Sequence, residues 1–302
     1  MSQLGESDCE MHGQAGKNSV ESVEMNRGVN MLKRIMAMAI AVISILIPKH
    51  TKAEEFDMTE INIQGSMGNL YGILQTPGTD EPLPLIILSH GFGGSHAGNR
   101  DYADYFTAHG FATFNFDFCG GGFGSKSDGT MLEMSVLTEA EDLNAIVDHF
   151  KGDGRFTQIF LWGASQGGFV SSYVAARRPE DVAALMLEFP AFVLQDDAKK
   201  RANPDGSFPE TESVMGITIG HRYGEDAVSF DIYDVIGDYK GDVLILHGDR
   251  DGIVPLRYSE RAANVYENAE LVVMEGQNHG FMGEARTEAM KRETAFFRQH
   301  SK

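Results

Sequence analysis

From about residue 57 to the end of the chain, short apolar runs alternate with longer stretches whose apolar positions recur every three or four residues. The first pattern fits strands and the second amphipathic helices, and their alternation predicts an α/β fold, a sheet covered by helices on both faces. Met58 to Ile63 and Leu70 to Gln75 read as antiparallel strands joined through Gly65-Ser66-Met67-Gly68. Leu83 to Leu88 is continuously apolar, as expected of a strand buried on both faces. Ala112 to Phe116, Gln158 to Trp162, Val182 to Leu187, Val243 to Leu246 and Leu271 to Met274 bring the count to eight strands, mostly parallel by the crossover rule. Helical spacing is clearest from Met134 to Phe150, where Val136, Ala140, Leu143, Val147 and Phe150 form one stripe. Phe169 to Arg177 and Thr287 to His300 are the other clear helices.

Two stretches break the alternation. Residues 190–241 put 52 positions between the sixth and seventh strands, with a scatter of Phe192, Phe208, Tyr223, Phe230 and Tyr233. A crossover helix needs far fewer, and insertions of this size usually serve function, so a small lid is expected, with a surface embellishment as the alternative. The other stretch is the leader, residues 1–53. There Met31-Leu32-Lys33-Arg34 precedes an apolar run of 14 residues, Ile35 to Pro48, followed by Thr51-Lys52-Ala53. Basic residues, a short apolar run and a small-residue site read as an export signal cleaved near Ala53, with translation starting at Met31. An uncleaved anchor is the alternative. The expected product, residues 54–302, is a single domain in the periplasm or outside the cell, not held in a membrane.

Composition narrows the partners. The chain has 302 residues, 42% of them apolar, enough for a sizeable core. Residues 54–302 carry 39 acidic and 19 basic side chains, a net charge of −20. Such a surface repels nucleic acid and anionic membranes. Cys9 lies in the leader, which leaves Cys119 without an intrachain disulfide partner after cleavage.

The chemistry starts where Ile159-Phe160-Leu161-Trp162 runs into Gly163-Ala164-Ser165-Gln166-Gly167-Gly168 and a helix follows. A serine on such a strand-turn-helix needs small residues two before and two after it, and it projects its hydroxyl above the sheet edge. A hydroxyl is a poor nucleophile at neutral pH and needs a base. His279 follows the last strand, in Asn278-His279-Gly280, and Asp251 follows the one before it, in His247-Gly248-Asp249-Arg250-Asp251. Serine, acid and base in that chain order are the order used by α/β-hydrolases. Asp249 is the alternative acid, though it better fits a turn cap, and His90 and His247 better fit braces of backbone turns; His221 also lies at a loop. Ser89-His90-Gly91-Phe92-Gly93-Gly94 follows the third strand, where a second oxyanion donor belongs, so the donors are expected to be the backbone N–H groups of Phe92 and Gln166. No paired Cys/His spacing, HExxH string or dinucleotide fingerprint suggests a metal or cofactor.

From Glu54 to Lys302 the chain resembles the α/β-hydrolase superfamily, and within it the bacterial cinnamoyl (feruloyl) esterases. The narrower likeness rests on His90-Gly91-Phe92, Ser165-Gln166-Gly167-Gly168, Asp231-Ile232-Tyr233-Asp234, His279-Gly280-Phe281 and the insertion. It implies a serine esterase that cleaves hydroxycinnamate esters through an acyl-enzyme, with the lid helping to bind the aromatic acyl group. Gln195, Asp196 and Tyr223 are candidate contacts for a phenolic hydroxyl. A general short-chain carboxylesterase and a peptidase of the prolyl-oligopeptidase type are the alternatives. The loop from Phe118 to Gly129 departs from the family pattern, being richer in glycine. It nearly spells a phosphate-binding loop through Gly120, Lys126 and Ser127, but Ser125 replaces the second glycine, and a flexible loop beside the site is the expectation.

Overall fold

A computed structural model describes residues 56–302, so the leader, its export signal and its start at Met31 lie outside the described residues. The strands are β1 (Asp57–Gly65), β2 (Gly68–Thr76), β3 (Leu83–Ser89), β4 (Ala112–Phe116), β5 (Phe156–Ala164), β6 (Ala184–Glu188), β7 (Thr211–Val214), β8 (Ile217–Gly220), β9 (Asp242–Gly248) and β10 (Ala269–Met274). Eight of them form one sheet in the order β1-β2-β4-β3-β5-β6-β9-β10, while β7 and β8 pair separately. Within the large sheet β2 alone runs against the others.

The helices are α1 (Arg100–Ala108), α2 (Val136–Phe150), α3 (Gln166–Arg177), α4 (Leu194–Arg201), α5 (His221–Val228), α6 (Tyr233–Ile236), α7 (Arg257–Val265) and α8 (Gly283–His300). Strand side chains alternate between two cores, as the two-residue pleat requires. Leu85, Ile87, Leu161, Leu185 and Ile245 pack with Leu143 and Val147 of α2 and Val170 and Val174 of α3. Their neighbours Ile86, Leu88, Phe160, Met186 and Leu246 pack with Phe106 of α1 and Phe297 of α8. The continuous apolar runs in the sequence reflect this burial on both faces.

Local chemistry shifts the starts of the expected helices: those expected from Phe169 and Thr287 begin earlier, at Gln166 and Gly283. α2 begins at Val136, two residues later than the apolar stripe suggests. The Ser135 hydroxyl accepts from the Thr138 N–H (3.2 Å), and the Thr138 hydroxyl accepts from the Ser135 N–H (2.8 Å), a reciprocal cap that ends the preceding loop. α1, with Tyr102, Ala103 and Phe106 buried, is too short to stand out as periodicity. The 190–241 insertion carries α4, the β7-β8 hairpin, α5 and α6, so the seventh strand expected in the core is β9. The hairpin turns through Met215 (φ 49°) and Gly216 (φ 82°), the left-handed pair that a two-residue hairpin turn demands.

Candidate active site

Ser165 stands between β5 and α3 at φ 52° and ψ −118°, a backbone conformation that L-residues seldom adopt. Two glycines make the turn possible. A Cβ on Gly163 would lie 2.4 Å from the carbonyl oxygen of Gly167, and a Cβ on Gly167 would lie 2.3 Å from that of Ser89. The Ser165 carbonyl accepts N–H bonds from Gly168, Phe169 and Ala191, and its own N–H donates to the Glu188 carbonyl, which anchors the elbow to β6.

The loops after β9 and β10 bring the other two residues to this point. His279 Nε2 lies 3.0 Å from Ser165 Oγ, and His279 Nδ1 lies 2.7 Å from Asp251 Oδ2. A carboxylate facing Nδ1 keeps the proton there, so Nε2 is left to accept from the serine hydroxyl. Asn278 ties the two loops together: its Oδ1 accepts from the Gly252 N–H at 3.1 Å. Phe189 packs edge-on against the imidazole, 4.7 Å between ring centres.

Asp251 is buried, and burial alone would raise its pKa; hydrogen bonds from His247, His279 and the Val254 amide outweigh that and hold the carboxyl well below the usual range. Asp249 is exposed and accepts from the Gly276 N–H, capping a turn instead of facing the imidazole. His247 spans from the Ser259 hydroxyl to the Val254 carbonyl under the Asp251 loop. His90 accepts the Phe118 N–H at Nε2 and bonds the Gly91 carbonyl through Nδ1, bracing the loop before Phe92. His221 pairs with Glu225 on the surface.

Gln166 is the first residue of α3, so its N–H has no helical acceptor. Among the described residues neither this N–H nor that of Phe92 donates to another protein group. Gly91 brings the second loop within reach of the serine: a Cβ there would lie 3.2 Å from Ser165 Cβ. The arrangement therefore offers a nucleophile with its base and two unspent donors beside it, the parts needed for acyl transfer.

Ser165, Phe92 and Gln166 open onto a cavity of about 140 Å³, walled by Leu194, Asp197 and Arg201 of α4, Val214 and Met215 of the hairpin, and Tyr223 of α5. A larger cleft of about 450 Å³ lies at the amino ends of β5 and β6 and holds none of these groups. Of the three candidate substrate contacts, Tyr223 alone lines the cavity. Gln195 donates to the Phe230 carbonyl, and Asp196 accepts from the Tyr258 hydroxyl at 2.7 Å. The helical period explains this placement: Leu194, Asp197 and Arg201 share the face turned to the cavity, and residues 195 and 196 point away. The Tyr223 hydroxyl, moreover, is engaged by Gln166 Oε1 at 2.7 Å.

Sequence reasoning missed Asp197, Arg201 and Glu139. Gln166 Nε2 donates to Glu139 Oε2 at 2.8 Å, and the signal was a carboxylate set in the apolar stripe of α2. The glycine-rich loop is tied down. Phe123 N–H donates to the Gly93 carbonyl, Lys126 N–H to Asp117 Oδ2, and the Ser127 hydroxyl to the Asp117 carbonyl. Lys126 Nζ meets the Tyr71 hydroxyl and Glu60, so the loop is tied to β1 and β2 and forms no phosphate cradle. Cys119 is buried, and burial pushes its thiol up to about 12, far from the range of a reactive thiolate. Among the described residues no group of His, Cys, Asp and Glu is arranged to hold a metal ion, and no helix is long and apolar enough to cross a membrane.

A family described as serine aminopeptidase, S33, matches residues 80–209, and one described as TAP-like protein matches residues 232–301. A monoacylglycerol lipase of Mycolicibacterium smegmatis is 30% identical over 183 residues, 57% of this chain. The match spans 60% of that lipase's length. A mitochondrial palmitoyl-protein thioesterase of Bos taurus is 26% identical over 220 residues, 65% of this chain and 67% of its own. Est1E from Butyrivibrio proteoclasticus, solved with ferulic acid bound, superposes with a TM-score of 0.70 at 26% identity, covering 77% of this chain and 95% of that one. Sheet order, the strained serine elbow and these likenesses agree: the chain belongs to the α/β-hydrolase superfamily.

Proposed function

We propose that the protein is a serine carboxylic ester hydrolase acting on hydroxycinnamoyl esters. The observation that carries this reading is the hydrogen-bonded run Asp251–His279–Ser165 beside two free backbone donors. Ser165 Oγ attacks the ester carbonyl carbon while His279 Nε2 takes its proton; the oxyanion lodges against the N–H groups of Phe92 and Gln166. Collapse expels the alcohol, which receives the proton from His279, and leaves an acyl-serine. Water then attacks by the same sequence and frees the acid and the serine.

The acyl assignment rests on the cavity. Its volume of about 140 Å³ is close to the roughly 150 Å³ pocket that holds a benzene molecule. One aromatic ring fits beside Phe92 and Tyr223, with the Asp197 and Arg201 side chains at the wall for a polar ring substituent. The insertion acts as a lid in this reading, since Ala191, Val193, α4, α5 and the β7-β8 hairpin supply most of that wall. Est1E, with ferulic acid bound, supports the same acyl class. The leader fits export, and an intact mass beginning near Glu54 in the secreted protein supports it, whereas retention of residue 1 rejects it.

Initial rates on methyl ferulate, short-chain nitrophenyl esters and peptide amides test the reading. The largest kcat/KM is expected on methyl ferulate, with no turnover of it by Ser165→Ala. Preference for short aliphatic esters makes the protein a general carboxylesterase. Preference for peptide amides would favour the peptidase reading, which the aminopeptidase family match keeps in view.

A further inference from the structure

Gln166 is 1% exposed and its side chain is engaged at both ends, with Glu139 on its amide nitrogen and the Tyr223 hydroxyl on its oxygen. The three residues come from α2, α3 and α5, and α5 belongs to the insertion. Gln166 is also the first residue of α3: the carbonyl of its peptide unit, on Ser165, accepts from Gly168, Phe169 and Ala191, while the N–H of that unit donates to no protein group among the described residues. The side-chain partners restrain the other side of Gln166 and so complete the hold on that donor. We propose that Glu139 and Tyr223 are positioning residues that clamp the Gln166 side chain and thereby aim its backbone N–H at the oxyanion, coupling the lid to the reacting centre. The inference rests on the esterase reading.

The clamp has a pH signature. Burial pushes the Glu139 carboxyl up to about 8, the Gln166 hydrogen bond working against that rise and Asp142 on the same helix adding to it. Tyr223 faces Glu139 from α5, and Arg201, Asp197 and Glu212 face Tyr223 from α4 and β7. Asp226 of α5 accepts from the Ser135 hydroxyl at the start of α2. At neutral pH Glu139 is a protonated, uncharged partner, and a glutamine there has nearly the same shape. Above about pH 8 it acquires a buried charge that repels Asp142 and draws the Gln166 amide closer, pulling Gln166 from its neutral-pH position.

The test compares kcat and KM across pH 6–10 on methyl ferulate for wild type, Glu139→Gln, Glu139→Leu and Tyr223→Phe, each checked for folding by circular dichroism. Wild type is expected to lose kcat as pH rises through about 8. Glu139→Gln keeps the neutral-pH kcat and lacks that loss. Glu139→Leu and Tyr223→Phe lower kcat about tenfold with KM within twofold, since part of a donor worth a hundred- to a thousand-fold is misaimed. Tyr223→Phe retains the ring against the cavity and keeps the test open if Glu139→Leu does not fold. An unchanged kcat in Tyr223→Phe, or an alkaline loss that persists in Glu139→Gln, overturns the clamp. A wild type without ester hydrolysis overturns the esterase reading instead.

Discussion

A serine hydroxyl gives up its proton at neutral pH only to a base held in the right tautomer, and here that task falls to one carboxylate. Asp251 binds His279 Nδ1 at 2.7 Å and is itself fixed by the Ile253 and Val254 amides. Asp251→Asn should preserve this geometry, favour the wrong tautomer and lower kcat about ten-thousand-fold, while Asp249→Asn should stay within a few-fold; parallel kinetics on one ester check both. These residues were legible in the sequence because each sits at a strand end with a recognisable turn around it. The placement of Gln195 and Asp196 off the cavity wall was not legible, because sequence distance alone does not say which face of α4 meets the cavity. The pairing of Gln166 with Glu139 and Tyr223 spans 27 and 57 residues, which no local pattern reveals.

At the scale of elements, the serine turn is a packing solution before it is a catalytic one. A Cβ on Gly163 would run into the backbone of α3 and one on Gly167 into the end of β3, so both glycines are needed for the turn that carries Ser165 at a positive φ. The strands of the large sheet were legible because burial on both faces writes unbroken apolar runs. Elements of the insertion were not. α6 and the two hairpin strands have four residues each, too few for a period to show, and the hairpin turn through Met215 lacks the usual Asn-Gly signal.

Across the whole molecule, an acid pair lies buried beneath the elbow. Glu188, whose carbonyl receives the Ser165 N–H, is about 1% exposed, and Glu293 of α8 is fully buried. Burial pushes Glu188 up to about 7, and burial with the nearby Glu188 charge pushes Glu293 well above its ordinary value; Tyr102 donates to Glu188 and Arg286 lies close by. The unfolded chain releases these protons near pH 4–5 and the folded chain only later, so the stability they lend is complete in acid and is lost as pH rises through 7. Glu293→Gln should therefore flatten the fall in Tm between pH 5 and 9, and a slope equal to wild type would reject the pairing. Active-site labelling tests most directly whether Ser165 is the nucleophile of this fold. Intact-mass and peptide spectra after fluorophosphonate treatment should show one adduct, on Ser165, formed by the wild type and absent from folded Ser165→Ala. No adduct on the wild type, or an adduct on another residue, would contradict it.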